Sequence, residues 1–274
     1  MYNRFLRWAA KMVGIIGRGL GLSSIPRLKN IYLVLARPFL PDHDVWVAVG
    51  EQQILLPSPR TNVLSRMVYL FGSWEEPVTR CLCANLLPGM TAVDVGAHIG
   101  YFTLVMAGRT GTTGRVFAFE PNPEVQKYLR ENLRRNGCSQ VTVCPVALFR
   151  DEGSGTLEGS DGLNARLTPH ADSRAGGVTM AVFDRFAPTQ GIAGVDLVKM
   201  DVEGAELDIL LGMRRLLSED HPSFVIEVHP RQLGMFGHTE AELRGYLESC
   251  GYSINIILRQ IETTTVHCVW NGSR

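Results

Sequence analysis

Residues 91–102 read Thr-Ala-Val-Asp-Val-Gly-Ala-His-Ile-Gly-Tyr-Phe, and this stretch is the best guide to the fold. Thr91–Val95 is a short apolar run of the kind that forms a buried strand. Gly96 permits a tight turn and a close approach of the backbone to a ligand. Apolar residues at helical spacing then begin at Tyr101. The stretch therefore predicts a strand, a glycine turn and a helix in direct succession.

The same alternation of strand and helix continues along the chain. Helical patterns separate most of the later apolar runs, so the sequence predicts a doubly wound, Rossmann-like α/β fold with a mostly parallel sheet. The last two strand-like runs have no helix between them, which predicts an antiparallel pair at the C-terminal edge. The predicted strands after the first are 116–120, 141–146, 197–201, 224–229, 253–258 and 264–269, and the predicted helices are 101–109, 124–136, 205–217 and 240–250.

The predicted organisation has three parts. Residues 1–43 form a basic amphipathic segment, residues 44–90 form a hairpin and helical cap, and residues 91–274 form the main domain. Period-two alternation from Val45 to Leu56 predicts the hairpin. The connection at 150–195 is too long for a bare turn, so we expect it to contain extra strands, such as one at 178–183, and a flexible cover.

Composition is that of a globular protein. The chain has 274 residues, of which 45% are hydrophobic and 20% charged, and this excludes disordered, collagen-like and coiled-coil classes. Residues 1–41 hold seven of the 27 basic residues and none of the 27 acidic ones, which leaves the remainder with a formal charge of −7. A net-acidic body argues against nucleic acid as a partner. Residues 1–25 have three open interpretations: a helix packed on the body, part of a substrate lid, or peripheral contact with an anionic membrane.

The six cysteines show no metal-binding spacing, and no uninterrupted apolar run reaches the length of a membrane-spanning helix. Lys11 interrupts the early apolar stretch, which also argues against a signal peptide. We therefore expect reduced thiols and a cytoplasmic protein, with peripheral membrane contact left open.

The glycine turn selects among nucleotide cofactors. A dinucleotide fingerprint requires G-x-G-x-x-G, but His98 and Tyr101 occupy its second and third glycine positions. Asp94 would also press a like charge against a pyrophosphate. S-adenosylmethionine has a cationic head group and no phosphate, so it suits this turn better. Glu120 ends the next predicted strand, 26 positions after Asp94, where a carboxylate can accept both ribose hydroxyls.

Several motifs, in order, resemble the FkbM-type S-adenosylmethionine-dependent methyltransferases over about residues 45–260. The matching stretches are 70–77, 94–104, 119–123, 132–137, 146–148, 199–206 and 225–229. The resemblance implies a Rossmann-like methyltransferase sheet and methylation of an oxygen on a natural product, sugar or lipid. It adds these cofactor-binding residues to Asp94, Gly96 and Glu120: Glu76, Ala97, His98, Gly100, Phe102, Pro121, Asn122, Val146, Ala147 and Asp201. His98 is a departure, because relatives commonly have Asn there.

Acidic residues and one histidine follow the fourth and fifth predicted strands of this domain. Asp201 and Glu203 share a face by period two, and we predict them, together with His229, at the methyl-transfer centre. His229 is the best candidate for a general base because its pKa ordinarily lies near neutrality. Helix capping is the alternative for the two acids, and a structural imidazole is the alternative for His229. We expect Glu206 and Asp208 to serve only the start of the helix.

Three other functions remain open at this point. Asp201, Glu203, Glu227 and His229 contain the carboxylates that Mg²⁺ or Ca²⁺ prefers, so a metal-dependent O-methyltransferase is one alternative. A second is an NAD-dependent oxidoreductase, which the broken glycine fingerprint disfavours. A third is a non-catalytic membrane-surface module that retains the cofactor fold, suggested by the basic residues before Asp42.

Overall fold

The structure is a computed structural model that describes residues 33–159, 166–169 and 177–272. The chain divides into two compact units, Met1–Glu76 and Pro77–Arg274. Most of the predicted basic segment, residues 1–32, lies outside the described residues. Within the described ranges, no helix has both the length and the apolar character needed to cross a membrane.

The first unit contains the predicted hairpin. Strands β1 (Val45–Val49) and β2 (Gln52–Leu56) pair antiparallel around a turn in which Gly50 has φ +59°. Helix α1 (Val63–Phe71) follows, and the side chain of Asn62 caps it by accepting a hydrogen bond from Ser65 N at 2.9 Å. A 3-10 helix, Arg37–Phe39, precedes the hairpin.

The second unit begins within helix α2 (Glu76–Asn85) and contains the remaining elements. Its strands are β3 (Thr91–Val95), β4 (Arg115–Phe119), β5 (Val141–Cys144), β6 (Ala147–Leu148), β7 (Gly153–Glu158), β8 (Arg166–Pro169), β9 (Val178–Ala181), β10 (Val195–Met200), β11 (Ser223–Val228), β12 (Tyr252–Arg259) and β13 (Thr264–Trp270). Its other helices are α3 (Tyr101–Thr110), α4 (Pro123–Arg135), α5 (Phe183–Thr189), α6 (Glu206–Leu211), α7 (Arg214–Glu219), α8 (Pro230–Met235) and α9 (Glu240–Ser249).

Seven of the described strands form one sheet, in the order β12-β13-β11-β10-β3-β4-β5. Strands β11, β10, β3, β4 and β5 are parallel, and β13 is antiparallel to both β11 and β12. The predicted fold class, including the antiparallel C-terminal pair, is confirmed. Strand order reverses between β3 and β10, and ligands of such sheets bind beyond the carboxyl ends of the strands at that point.

Burial explains why the central strands were visible in the sequence. All five residues of β3 are buried, and β10 and β11 are buried along nearly their whole length. A strand covered on both faces is apolar throughout rather than alternating. Each predicted strand of the main sheet is present to within two residues at its ends.

One part of the chain differs from the prediction. Residues 205–217 were expected to form one helix, but α6 and α7 are separate because Gly212 lies against Phe149: a Cβ on Gly212 would meet the Phe149 carbonyl oxygen at 2.6 Å. The long connection does contain extra strands: β7, β8 and β9 lie within it and form a second sheet with β6, in the order β6-β9-β7-β8.

Candidate active site

The predicted site residues meet at the carboxyl ends of four neighbouring strands. Gly96 follows β3, Glu120 follows β4, Asp201 follows β10 and His229 follows β11. Backbone hydrogen bonds hold these ends together. Gly96 N and Ala97 N both donate to Phe119 O at 3.0 Å, and Asp201 N donates to Val95 O at 3.0 Å. The order reversal between β3 and β10 therefore lies at the centre of the group.

The turn after β3 depends on glycine. Gly96 has φ +78°, and a Cβ there would lie 1.9 Å from the Asp201 carbonyl oxygen. The close approach at this turn is thus between the backbones of two strand ends. His98, two residues on, also adopts the left-handed region at φ +51°, which a residue with a side chain rarely does. Such conformations occur where the surrounding structure enforces them, often at functional sites.

Asp94 is fully buried and lies beneath the turn. Its Oδ2 accepts a hydrogen bond from Thr103 Oγ1 at 2.6 Å, and its Oδ1 lies 3.9 Å from Lys199 Nζ. Burial raises the pKa of Asp94 against the opposing effects of Lys199 and Thr103. The carboxylate thus links β3 to α3 and to β10. Its predicted contact with the positive end of a cofactor stays a prediction, since it has no exposed surface in this structure.

Glu120 is held by two backbone donors. His98 N donates to Oε2 at 2.9 Å, and Asn122 N donates to Oε1 at 2.8 Å. Burial raises the pKa of Glu120 to about 7, although both hydrogen bonds favour the charged form. Each carboxylate oxygen retains a lone pair for a further donor. Asn122 in turn caps α4 by accepting a hydrogen bond from Glu124 N at 3.0 Å.

The other predicted cofactor residues are spread over several elements. Phe102 lies in the first turn of α3 with the Lys199 ammonium 4.8 Å from the centroid of its ring. Val146 and Ala147 are buried where β5 gives way to β6. Glu76 begins α2 and is the last residue of the first unit. The roles of these residues in cofactor binding stay predictions.

The predicted catalytic residues form a cluster around His229. His229 Nε2 lies 3.7 Å from Asp201 Oδ1, 3.7 Å from Glu203 Oε2 and 4.0 Å from Glu227 Oε1. Its other ring nitrogen, Nδ1, lies 2.8 Å from Glu206 Oε1. The side chain of His229 is 5% exposed, whereas that of Glu203 is 44% exposed. The structure therefore brings together all three residues predicted at the methyl-transfer centre.

Glu206 has a role that the sequence reasoning missed. It is completely buried, and its Oε1 accepts a hydrogen bond from Gly204 N at 3.1 Å in addition to its contact with His229. We expected Glu206 to serve only the start of a helix, but it also fixes the histidine ring. Asp208 fits that expectation better, because it pairs with Arg150 and His238 at 3.3 Å, away from the cluster.

The acids around His229 change its protonation. Burial alone lowers the pKa of the imidazole, but the hydrogen bond to Glu206 and the charges of Asp201 and Glu203 outweigh it and raise the pKa to about 10. Protonated imidazole cannot accept a proton, so a base role would require His229 to lose this proton first. The pKa of Glu227 rises to about 7 through burial and the nearby charge of Asp201.

The chain is similar to known methyltransferases. The family model described as the methyltransferase FkbM domain matches residues 94–254, more than half of the chain. The hexuronic acid methyltransferase AglP of Haloferax volcanii is 30% identical over 157 residues, covering 57% of this chain and 62% of AglP. The methyltransferase sdnD of Sordaria araneosa is 30% identical over 178 residues, covering 53% of this chain and 67% of sdnD.

A crystal structure of a methyltransferase FkbM from Methylobacillus flagellatus KT aligns with 75% of this chain and 52% of its own, at 21% identity and a TM-score of 0.47. The chain thus spans less than two thirds of AglP and about half of this structural relative. The family match itself runs from the buried Asp94 through the cluster around His229. On that match, the chain belongs to the FkbM family of S-adenosylmethionine-dependent methyltransferases.

Proposed function

We propose that this protein transfers a methyl group from S-adenosylmethionine to a hydroxyl oxygen of a sugar or other small molecule. The observation that carries the proposal is the position of Asp201, Glu203 and His229 beside the Gly96 turn, across the point where strand order reverses. A donor bound at the turn of β3 would present its methyl group to an acceptor held at the ends of β10 and β11.

The residues around the turn fit the methyl donor. Glu120 has a lone pair free on each carboxylate oxygen, which suits the paired hydroxyls of a ribose. Lys199 lies between Asp94 and Asp201 at the ends of β3 and β10, but the acids there outnumber it, and an excess of negative charge suits a sulfonium. We propose the complete cofactor site as Glu76, Asp94, Gly96, Ala97, His98, Gly100, Phe102, Glu120, Pro121, Asn122, Val146, Ala147 and Asp201.

Methyl transfer to an alcohol requires orientation and removal of a proton. The donor supplies a methyl group on a positively charged sulfur. The acceptor oxygen bonds to that carbon, the carbon–sulfur electron pair goes to sulfur, and the hydroxyl proton leaves. Holding the reactants in this geometry is worth up to about 7–11 kcal/mol in well-oriented systems. We assign orientation to Asp201, whose Oδ2 is fixed by Lys199 at 3.4 Å.

We propose Glu203 as the group that receives the hydroxyl proton. Its side chain is 44% exposed and so can be reached by an acceptor, whereas His229 is buried with Nδ1 engaged by Glu206. Gln232 Nε2 donates to Glu203 Oε2 at 3.2 Å and fixes the carboxylate. His229 remains within the catalytic group because it links Asp201 and Glu203.

The similarity to a hexuronic acid methyltransferase makes sugars the first acceptors to test. The purified protein would be incubated with methyl-deuterated S-adenosylmethionine and separate uronic acid, neutral sugar and lipid-linked glycan fractions. We expect a mass shift in a glycan product, with fragmentation placing the label on oxygen.

Label on carbon or nitrogen would refute oxygen methylation. Asp201→Asn is the matched variant, because it keeps the shape of the side chain. Because Asp201 is also proposed as a cofactor residue, turnover is measured at saturating S-adenosylmethionine. We expect the variant to lose most turnover under that condition, and undiminished turnover would remove Asp201 from the proposed centre.

A further inference from the structure

Asp201, Glu227 and His229 each offer one ligand atom, and these atoms all lie within 4.8 Å of one another. We propose that these three side chains bind a divalent cation that in turn holds the methyl acceptor. This inference rests on the proposed methyl transfer and adds a second bound component to it. The cation site occupies the ends of β10 and β11, on the acceptor side of the Gly96 turn.

The distances suit a shared cation. Mg²⁺ and Ca²⁺ bind oxygen ligands at about 2.0–2.6 Å, so two neighbouring ligand atoms of one ion lie about 3–3.7 Å apart and two opposite ones about 4–5 Å apart. His229 Nε2 lies 3.7 Å from Asp201 Oδ1 and 4.0 Å from Glu227 Oε1, which is within that span. Both distances are too long for a direct hydrogen bond.

The histidine ring is oriented as a metal ligand is. Metal-binding histidines usually donate their second ring nitrogen to a carboxylate, which fixes the tautomer. Here Nδ1 contacts the buried Glu206 at 2.8 Å. Nε2 has no hydrogen-bond partner among the described residues, although the side chain is only 5% exposed and this nitrogen points into the acids.

Neighbouring side chains also hold the carboxylates of Asp201 and Glu227 in place. Lys199 Nζ lies 3.4 Å from Asp201 Oδ2, which leaves Oδ1 facing His229. Thr263 Oγ1 donates to Glu227 Oε1 at 2.7 Å. Hydrogen bonding of ligating carboxylates by outer residues is a common feature of metal sites. Glu203 differs, because it is more exposed and bonded to Gln232, so we do not include it as a ligand.

Two oxygens and one imidazole nitrogen favour Mg²⁺ or Mn²⁺ over thiolate-seeking metals. Such ions take about six ligands, so three positions remain for water or an acceptor. Two adjacent positions suit an acceptor with neighbouring oxygens: a vicinal diol or a hydroxyl beside a carboxylate. A hydroxyl bound to the ion also loses its proton more easily. The acceptor class we infer is therefore a chelating sugar, such as a uronic acid.

The test measures direct binding of Mn²⁺ to the full chain in the absence of substrate. Binding is monitored through the electron paramagnetic resonance signal of Mn²⁺. We expect one Mn²⁺ per chain, displaced by excess Mg²⁺. Glu227→Gln removes a proposed ligand and should lower the affinity for Mn²⁺ by more than about 100-fold. Glu206→Gln removes a residue that only orients the ligand His229, and it should lower the affinity by about 10-fold or more. The control Glu124→Gln removes the same charge from an exposed site on α4 and should leave binding unchanged.

Two results would overturn the site: no Mn²⁺ binding by folded wild-type protein, or equal binding by wild type and Glu227→Gln. Circular dichroism and binding of S-adenosylhomocysteine would confirm that each variant is folded. The outcome also separates the two proposals. Methyl transfer that persists in chelator refutes the cation while leaving the proposed function intact. One bound Mn²⁺ with no transfer to any hydroxyl supports the site and refutes the function.

Discussion

Glu120 is a buried carboxylate whose ionisation should control cofactor affinity. Its pKa is raised to about 7 by burial, with Asp94 raising it further and Lys199 opposing. Ribose hydroxyls donate to the ionised form, so binding selects it, and affinity should rise with pH until the free carboxylate is fully ionised. We expect S-adenosylhomocysteine to bind about tenfold more weakly at pH 6 than at pH 8, measured by calorimetry.

Two variants identify the group responsible for that pH dependence. Glu120→Gln should bind more weakly by about 1.5–3 kcal/mol at pH 8, the range for hydrogen bonds to charged groups, and its affinity should be flat with pH. His98→Asn keeps the backbone donor to Glu120 and should keep the pH dependence. If the affinity for S-adenosylhomocysteine still depends on pH in Glu120→Gln but not in His98→Asn, the titrating group is His98 and not Glu120.

Two constraints require glycine at position 96, one on backbone conformation and one on space, and their effects on stability can be measured separately. Its φ of +78° penalises any side chain, and a Cβ would also overlap the Asp201 carbonyl oxygen at 1.9 Å. Gly137 has φ +64° but has no atom within 4 Å of a Cβ. In urea unfolding, Gly137→Ala should cost about 1–2 kcal/mol.

Gly96→Ala should cost clearly more than Gly137→Ala, about 3 kcal/mol or above, because β3 and β10 must move apart. It should also reduce binding of S-adenosylhomocysteine, since the turn would shift. Equal losses of stability in the two variants would show that the turn relaxes without disturbing β10.

At the scale of elements, a carboxylate from another helix stabilises the first turn of α7. Asp184 in α5 accepts hydrogen bonds from Arg215 N at 2.7 Å and from Leu216 N at 3.3 Å, so it caps the first turn of α7. Asp184→Ala should lower the free energy of unfolding by about 1 kcal/mol. Asp184→Asn keeps a hydrogen-bond acceptor and should lose less stability than Asp184→Ala. A smaller loss of stability in Asp184→Ala than in Asp184→Asn would contradict the capping role.

The elements best predicted from sequence are those whose burial is uniform. Strands β3, β10 and β11 are mostly apolar and buried along nearly their whole length, and a continuous apolar run can be recognised from the sequence alone. The division of 205–217 depends instead on Gly212 meeting Phe149, a contact between residues far apart in sequence. Extra strands were predicted in the long connection, but only β9 could be given bounds, because β6 and β8 are very short and β7 begins Gly-Ser-Gly.

In the site too, contacts between residues far apart in sequence were the ones that could not be predicted. Period two predicted that Asp201 and Glu203 would lie together, and the parallel sheet brings His229 to them. The pairing of Glu206 with His229 joins the start of a helix to the end of another strand. In sequence Glu206 looks like any acid in a first helical turn, and only the order of β10 and β11 in the sheet gives it a partner.

At the scale of the whole molecule, the N-terminal cluster of basic residues and the proposed cofactor residues lie in different parts of the chain. The family match begins at Asp94, and every proposed cofactor residue lies at Glu76 or later. Residues 1–41 carry seven basic residues and no acid, against −7 for the remainder. The two regions should therefore be separable. We expect a chain that begins at residue 26 to fold and to bind S-adenosylhomocysteine as the full chain does.

We propose that residues 1–25 contact an anionic membrane, and the truncation tests this proposal. Basic residues near an anionic bilayer contribute about 1 kcal/mol each, and salt screens them. Arg4, Arg7, Lys11 and Arg18 are lost when the first 25 residues are removed. The full chain should float with anionic vesicles at low salt and be released at high salt, and the truncated chain should not float. Flotation that neither truncation nor salt alters would refute the membrane role, whereas a folded truncated chain that cannot bind S-adenosylhomocysteine would place residues 1–25 in the cofactor site.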